Sequence, residues 1–227
     1  MMTRAKRYGP IALIVHLLLW LGLSGAAPAP KLVWAFGDSL TAGYGLPPNQ
    51  GFTAQLQAAL RRAGVAAEVR NGGVSGDTAA QGRARLLWGL RGLPRTPDLV
   101  IVELGANDML RGLPPAQARA NLERILVELQ RRRIPVLLAG MRAAPNLGPG
   151  YARAFEEMYP ELARKYRVPL YPFFMEGVAG NRALIQRDGL HPNARGVATI
   201  VRAILPSVRR ALATPPSVTP AKAGVSR

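Results

Sequence analysis

The chain has 227 residues, enough for one domain with a sizeable core. Hydrophobic residues make up 48% of it, which excludes a disordered polar chain, and the lack of cysteine excludes disulfides, thiolate metal sites and a cysteine nucleophile. The formal charge of +17 favours anionic surfaces, but the arginines are scattered in ones and twos, the longest run is 131–133, and no nucleic-acid-binding signature is spelled.

In chain order, the first segment is a leader. Arg4, Lys6 and Arg7 precede an apolar stretch of 13 residues, 11–23, and small residues follow to Ala27. This is the three-part pattern of a secretory signal peptide over 1–27. The stretch is short for a membrane span, which needs about 20 residues. The leader carries three cations and no acid, so the remainder has a charge of +14. Export and a soluble mature protein are expected, with a domain over 28–212 and a disordered tail, rich in proline and small residues, over 213–227.

After the leader, "KLVWAF" (31–36) is an apolar run suited to a buried strand. Residues 51–63 follow helical spacing, with Phe52, Leu56 and Leu60 four apart. A strand is predicted over 66–71 and a helix over 78–90. "PDLVIVELG" (97–105) is the clearest buried strand. Residues 115–132 make a helix with Leu122, Ile125, Leu126 and Leu129 on one face. Strands over 134–140 and 168–174 flank a helix over 150–166, where Pro160 predicts a kink or break, and a last helix covers 193–212. Strands alternating with helices predict an α/β fold: a five-stranded parallel sheet covered on both faces. In such sheets functional residues gather beyond the strand C-termini.

The chemistry-bearing residues stand at those places. Ser39 follows the first strand, inside "FGDSLTAGYG". A hydrolytic serine needs a base, and of the two histidines His16 lies in the leader, leaving His191. Asp188, three residues upstream, can accept the Nδ1 proton of His191 and leave Nε2 to face a serine. Pro192 disfavours helical geometry at His191 and is able to start the following helix. Oxyanion donors are available in the N–H of Ser39, the N–H of Gly76 in "VSGDT" and the amide of Asn107 in "GAND". Ordinary capping and turn roles compete at each of these positions taken singly. Thr41 stands where the nucleophile elbow of α/β-hydrolases needs its second glycine.

Four ordered blocks, "FGDSLTAGYG", "NGGVSGDT", "VELGAND" and "DGLHPN", resemble the SGNH (GDSL) hydrolase family over roughly 31–212. Within it the chain is similar to the branch of periplasmic thioesterases, lysophospholipases and arylesterases. The resemblance implies a three-layer α/β/α sandwich of flavodoxin-like topology and no metal or cofactor. It implies Ser39 as nucleophile, His191 as base with Asp188 orienting it, and Ser39, Gly76 and Asn107 around the oxyanion. It places Ala143, Ala144, Pro145 and Asn146 on a loop over the acyl groove, where the two alanines are smaller than is common in the branch. The implied activity is hydrolysis of lipidic, acyl or aryl esters and thioesters. A monomer is expected, and the net charge and the scattered arginines lead to an expectation of weak contact at anionic membrane surfaces and no nucleic-acid partner. Two other readings remain open from the residues: a carbohydrate O-deacetylase of the same family, and a cationic envelope-binding module without turnover.

Overall fold

A computed structural model describes residues 29–214. The expected leader, 1–27, lies outside the described residues, as does the expected tail, 213–227, apart from Ala213, which ends the last helix, and Thr214. Five parallel strands stand in the order β2-β1-β3-β4-β5: β1 (Lys31–Gly37), β2 (Ala67–Gly73), β3 (Leu99–Glu103), β4 (Val136–Ala139) and β5 (Leu170–Tyr171). This is the flavodoxin-like order, with the winding direction reversing between β1 and β3. β1 and β3 are apolar runs because both of their faces are covered, and every residue of β3 is buried.

Helices α2 (Phe52–Arg62) and α7 (Ala194–Ala213) pack together on one face. The other face carries α3 (Ala79–Arg91), α5 (Pro115–Arg131) and α6 (Pro149–Tyr166), packed in that sequence. The apolar stripe of α5 predicted from spacing is buried: Leu122, Ile125, Leu126 and Leu129. Two short helices follow strand ends, α1 (Ser39–Ala42) after β1 and α4 (Ala106–Leu110) after β3.

Three expectations need correction. The break allowed for at Pro160 is absent: helix α6 continues through it, because Phe155, Met158, Tyr159 and Leu162 bury its inner face on both sides of the proline and outweigh one lost hydrogen bond. The last strand is two residues long rather than seven. Pro169 and Pro172 flank it, and neither has an N–H for the ladder. Pro192 does not open the final helix. Asn193 caps it, with Oδ1 accepting from the N–H groups of Arg195 and Gly196 at 3.0 and 3.1 Å.

Candidate active site

The turn after β1 is built around Asp38. Its Oδ1 accepts from Leu40 N–H at 3.0 Å and starts α1, so Ser39 is the first residue of that helix rather than its cap. The helix lasts one turn. Gly43, at φ +81°, ends it in the left-handed conformation that suits glycine. Ser39 therefore sits half-buried at the sheet's C-terminal edge, next to the reversal point between β1 and β3.

The loop 185–193 carries the imidazole. Ile185 and Pro192 form an antiparallel bridge that closes it. Asp188 divides its carboxylate: Oδ1 accepts from Leu190 N–H at 2.9 Å and His191 N–H at 3.0 Å, and Oδ2 meets His191 Nδ1 at 2.6 Å. The Leu190 N–H, the His191 N–H and the ring hold the Asp188 carboxyl down at about 2, so it stays ionised at neutral pH. His191 Nε2 lies 2.9 Å from Ser39 Oγ, across 152 residues of chain. The three side chains are thus in hydrogen-bonded sequence.

Gly76 and Asn107 line the same cavity as Ser39. Gly76 has φ +86°, and its carbonyl accepts from Arg111 Nη2 at 2.7 Å, which fixes the orientation of the adjoining peptide units. Among the described residues no acceptor takes the N–H of Ser39 or of Gly76. The Asn107 amide Nδ2 donates to Asp38 Oδ2 at 3.1 Å and to Asp77 O at 3.0 Å, so its direction is set from two sides. Asp77 is in turn paired with Arg85 of α3, whose Nη1 and Nη2 reach Gly72 O and Gly37 O at 2.8 Å each. One guanidinium, lying over the Phe36 ring at 4.3 Å, thereby ties the ends of β1 and β2 together.

The cavity has a volume of about 410 Å³ and apolar walls that include Leu40, Met109, Met141, Phe173 and Ile185. Ala143, Ala144 and Pro145 are part of the lining. Asn146 is not: it belongs to the 3₁₀ turn Pro145–Leu147 and is exposed. Sequence reasoning missed Tyr44, whose ring lies 4.5 Å from the His191 ring at a 35° tilt, and also Arg85, Glu103 and Gln186. "AGYG" held the sole legible signal, an aromatic residue in the block that carries Ser39.

An open parallel sheet with hydroxyl, imidazole and carboxylate linked at its C-terminal edge, beside an apolar cavity, defines a carboxylic-ester hydrolase of the serine type. The chain belongs to the GDSL-like Lipase/Acylhydrolase family, whose model matches residues 35–199. It is 37% identical to Esterase TesA of Pseudomonas aeruginosa over 198 residues, covering 87% of this chain and 98% of the relative. It is 40% identical to an arylesterase of Vibrio mimicus over 179 residues, 79% of this chain and 88% of that one. The crystal structure of AlinE4, an SGNH-hydrolase family esterase, superposes with a TM-score of 0.70 at 53% identity, covering 82% of this chain and 99% of that chain.

Proposed function

We propose that Ser39, His191 and Asp188 carry out hydrolysis of lipidic, acyl and aryl esters, with lysophospholipids among the substrates, in an exported protein. His191 Nε2 takes the Ser39 Oγ proton as Oγ attacks the carbonyl carbon. The tetrahedral oxyanion meets the N–H groups of Ser39 and Gly76. Asn107 contributes by sharing one of its amide hydrogens between its present acceptor and the oxyanion. His191 then protonates the leaving alcohol or thiol, and the acyl group stays on Oγ. Water, deprotonated by the same imidazole, releases the acid and restores the serine. Asp188, ionised, stabilises the imidazolium formed in both halves.

The observation that carries this reading is the unbroken contact from Asp188 through His191 to Ser39, opening on an apolar cavity. The apolar lining favours acyl or aryl groups over the acetyl groups of a polysaccharide. All members of the site come from one chain, so the reading needs no second copy. The leader pattern over 1–27 supports export and removal of that segment. Among the described residues no helix is long and apolar enough to cross a membrane. The excess of positive charge supports weak association with anionic membrane surfaces.

The test uses a fluorophosphonate and p-nitrophenyl esters of graded chain length. The wild-type protein is expected to label at Ser39 and to prefer chains longer than acetyl. Ser39→Ala should abolish labelling and lower kcat by about 10⁴- to 10⁶-fold. Labelling elsewhere, or turnover surviving in that variant, defeats the assignment.

A further inference from the structure

Between the nucleophile turn and the base loop the hydrogen bonds close into a ring that passes through Gln186. The Ser39 carbonyl accepts from Tyr44 N–H at 3.1 Å. The Tyr44 carbonyl accepts from Gln186 Nε2 at 2.8 Å. Gln186 N–H donates to the His191 carbonyl at 2.7 Å. The contact of His191 Nε2 with Ser39 Oγ, at 2.9 Å, completes the circuit. The second Nε2 hydrogen bond of Gln186 goes to Pro192 O at 3.0 Å, so one half-buried amide grips both the nucleophile turn and the residue after the base.

Gly45 makes room for this amide. Its φ is +73°, and a Cβ there would lie 2.3 Å from Gln186 Oε1. Any side chain at 45 would displace the glutamine from the turn. The other bonds of the base loop stay within it or reach the adjoining 3₁₀ turn Arg182–Leu184. Asn193 Nδ2 donates to Ala183 O at 3.0 Å, and Asp188 holds Leu190 and His191. Those bonds shape the loop but leave its distance from β1 unset. Gln55 Nε2 holds Ala194 O at 3.0 Å, already within α7. Besides the His191–Ser39 contact, the amide of Gln186 is the side-chain hydrogen bond that crosses from the loop to the nucleophile turn among the described residues.

We propose that Gln186 is a positioning residue of the hydrolase: it fixes the separation of Ser39 and His191 by hydrogen-bonding the Tyr44 carbonyl. It does not line the cavity and so acts without touching substrate. The inference rests on the reading of Ser39 as nucleophile and His191 as base. Proton transfer requires about 2.6–3.2 Å between the two heavy atoms, and a misplacement of about 1 Å can cost about 100-fold in rate.

Two variants test it. Gln186→Leu removes both donors at similar volume. Gln186→Glu keeps the shape but turns acceptor oxygens toward the carbonyls of Tyr44 and Pro192. Each is expected to lower kcat on p-nitrophenyl butyrate by about 10- to 100-fold with KM held within about twofold. The rate of fluorophosphonate labelling should fall in parallel. A double-mutant cycle with His191→Ala separates positioning from folding. Once the imidazole is gone, adding Gln186→Leu should change the residual rate by less than about twofold. An equal loss in both backgrounds, or a wild-type kcat in both glutamine variants, overturns the inference. If His191→Ala alone keeps wild-type turnover, the base assignment fails and this inference with it. If His191→Ala is inactive while the glutamine variants turn over normally, the role of Gln186 alone is overturned.

Discussion

Glu103 ends β3 with a fully buried carboxyl beside the turn that carries Ser39. Its Oε2 accepts from Thr41 Oγ1 at 2.8 Å and faces Asp38 N–H at 3.4 Å, and its Oε1 has no partner among the described residues. Gly37 is where the chain accommodates this group, since a Cβ there would lie 2.5 Å from Oε2 and 2.2 Å from Thr41 Oγ1. Burial, reinforced by the neighbouring Asp38, raises the Glu103 carboxyl well above its ordinary value. Burial also pushes Asp38 up to about 6, against the opposing pull of Leu40 N–H, His191 and Asn107. A raised folded-state pKa means that the native protein holds a proton the unfolded chain gives up. The stability linked to that proton is complete below about 4.5, the ordinary value for Glu103, and is lost as pH rises from there toward the folded-state pKa. Glu103→Gln keeps the acceptor for Thr41 and removes this titration. Melting curves at pH 4.5 and 8.5 should show the variant gaining on wild type at the higher pH. Each unit of pKa elevation corresponds to about 1.4 kcal/mol, or roughly 3–6 °C in Tm for a domain of this size. A difference in Tm that stays constant between the two pH values would refute a raised pKa at Glu103.

At the level of elements, the segment between β4 and α6 supplies part of the cavity wall. Ala143 and Ala144 form part of its wall, and the turn Pro145–Leu147 carries the chain back to α6. Replacing both alanines by leucine fills part of the cavity. Losing room for about two methylenes removes about 1.6 kcal/mol of burial, so kcat/KM for a long-chain ester should fall by roughly 10-fold relative to a short-chain one. An unchanged ratio would mean that the acyl chain lies elsewhere. This segment also marks the limit of what the sequence discloses. β1 and β3 were legible because strands buried on both faces are written as apolar runs, and α5 because its stripe repeats at helical spacing. The helices Ser39–Ala42 and Ala106–Leu110 are too short to display a period. The length of β5 was set by prolines at its two ends rather than by its apolar run. Ser39, Asp188 and His191 stood in recognisable blocks. Glu103 was read only as part of an apolar strand, and Gln186 not at all. The work of each depends on a contact 62 or 142 residues away, and one-dimensional spacing holds no trace of that.

Over the whole molecule, charge and apolar exposure coincide around the cavity mouth. Tyr44, Leu110 and Leu190 line the cavity and are exposed, and Val74 is exposed one residue before Ser75 of the lining. Arg111 and Arg142 are exposed in segments that border the same opening, and Arg142 packs over Phe173. An apolar rim with cations beside it suits a surface that offers acyl chains beneath anionic headgroups. The long-range part of such an attraction arises from the net charge and is screened over about 10 Å at 0.1 M salt and about 3 Å at 1 M. Association with vesicles of mixed anionic and zwitterionic lipid should therefore be measurable at low salt and weaken steeply as sodium chloride is added. Ser39→Ala should bind equally well, because the rim is intact without the Ser39 hydroxyl. Val74→Asp should weaken vesicle binding at every salt concentration, since it sets a carboxylate against anionic headgroups, and should leave hydrolysis of the monomeric ester p-nitrophenyl acetate within about twofold of wild type. Sedimentation of the three proteins with vesicles, run beside that hydrolysis assay, separates surface docking from chemistry. Binding that ignores salt, or a Val74→Asp protein that sediments like wild type, would show that the charge of this chain and the exposed rim of its cavity do not act together at a membrane.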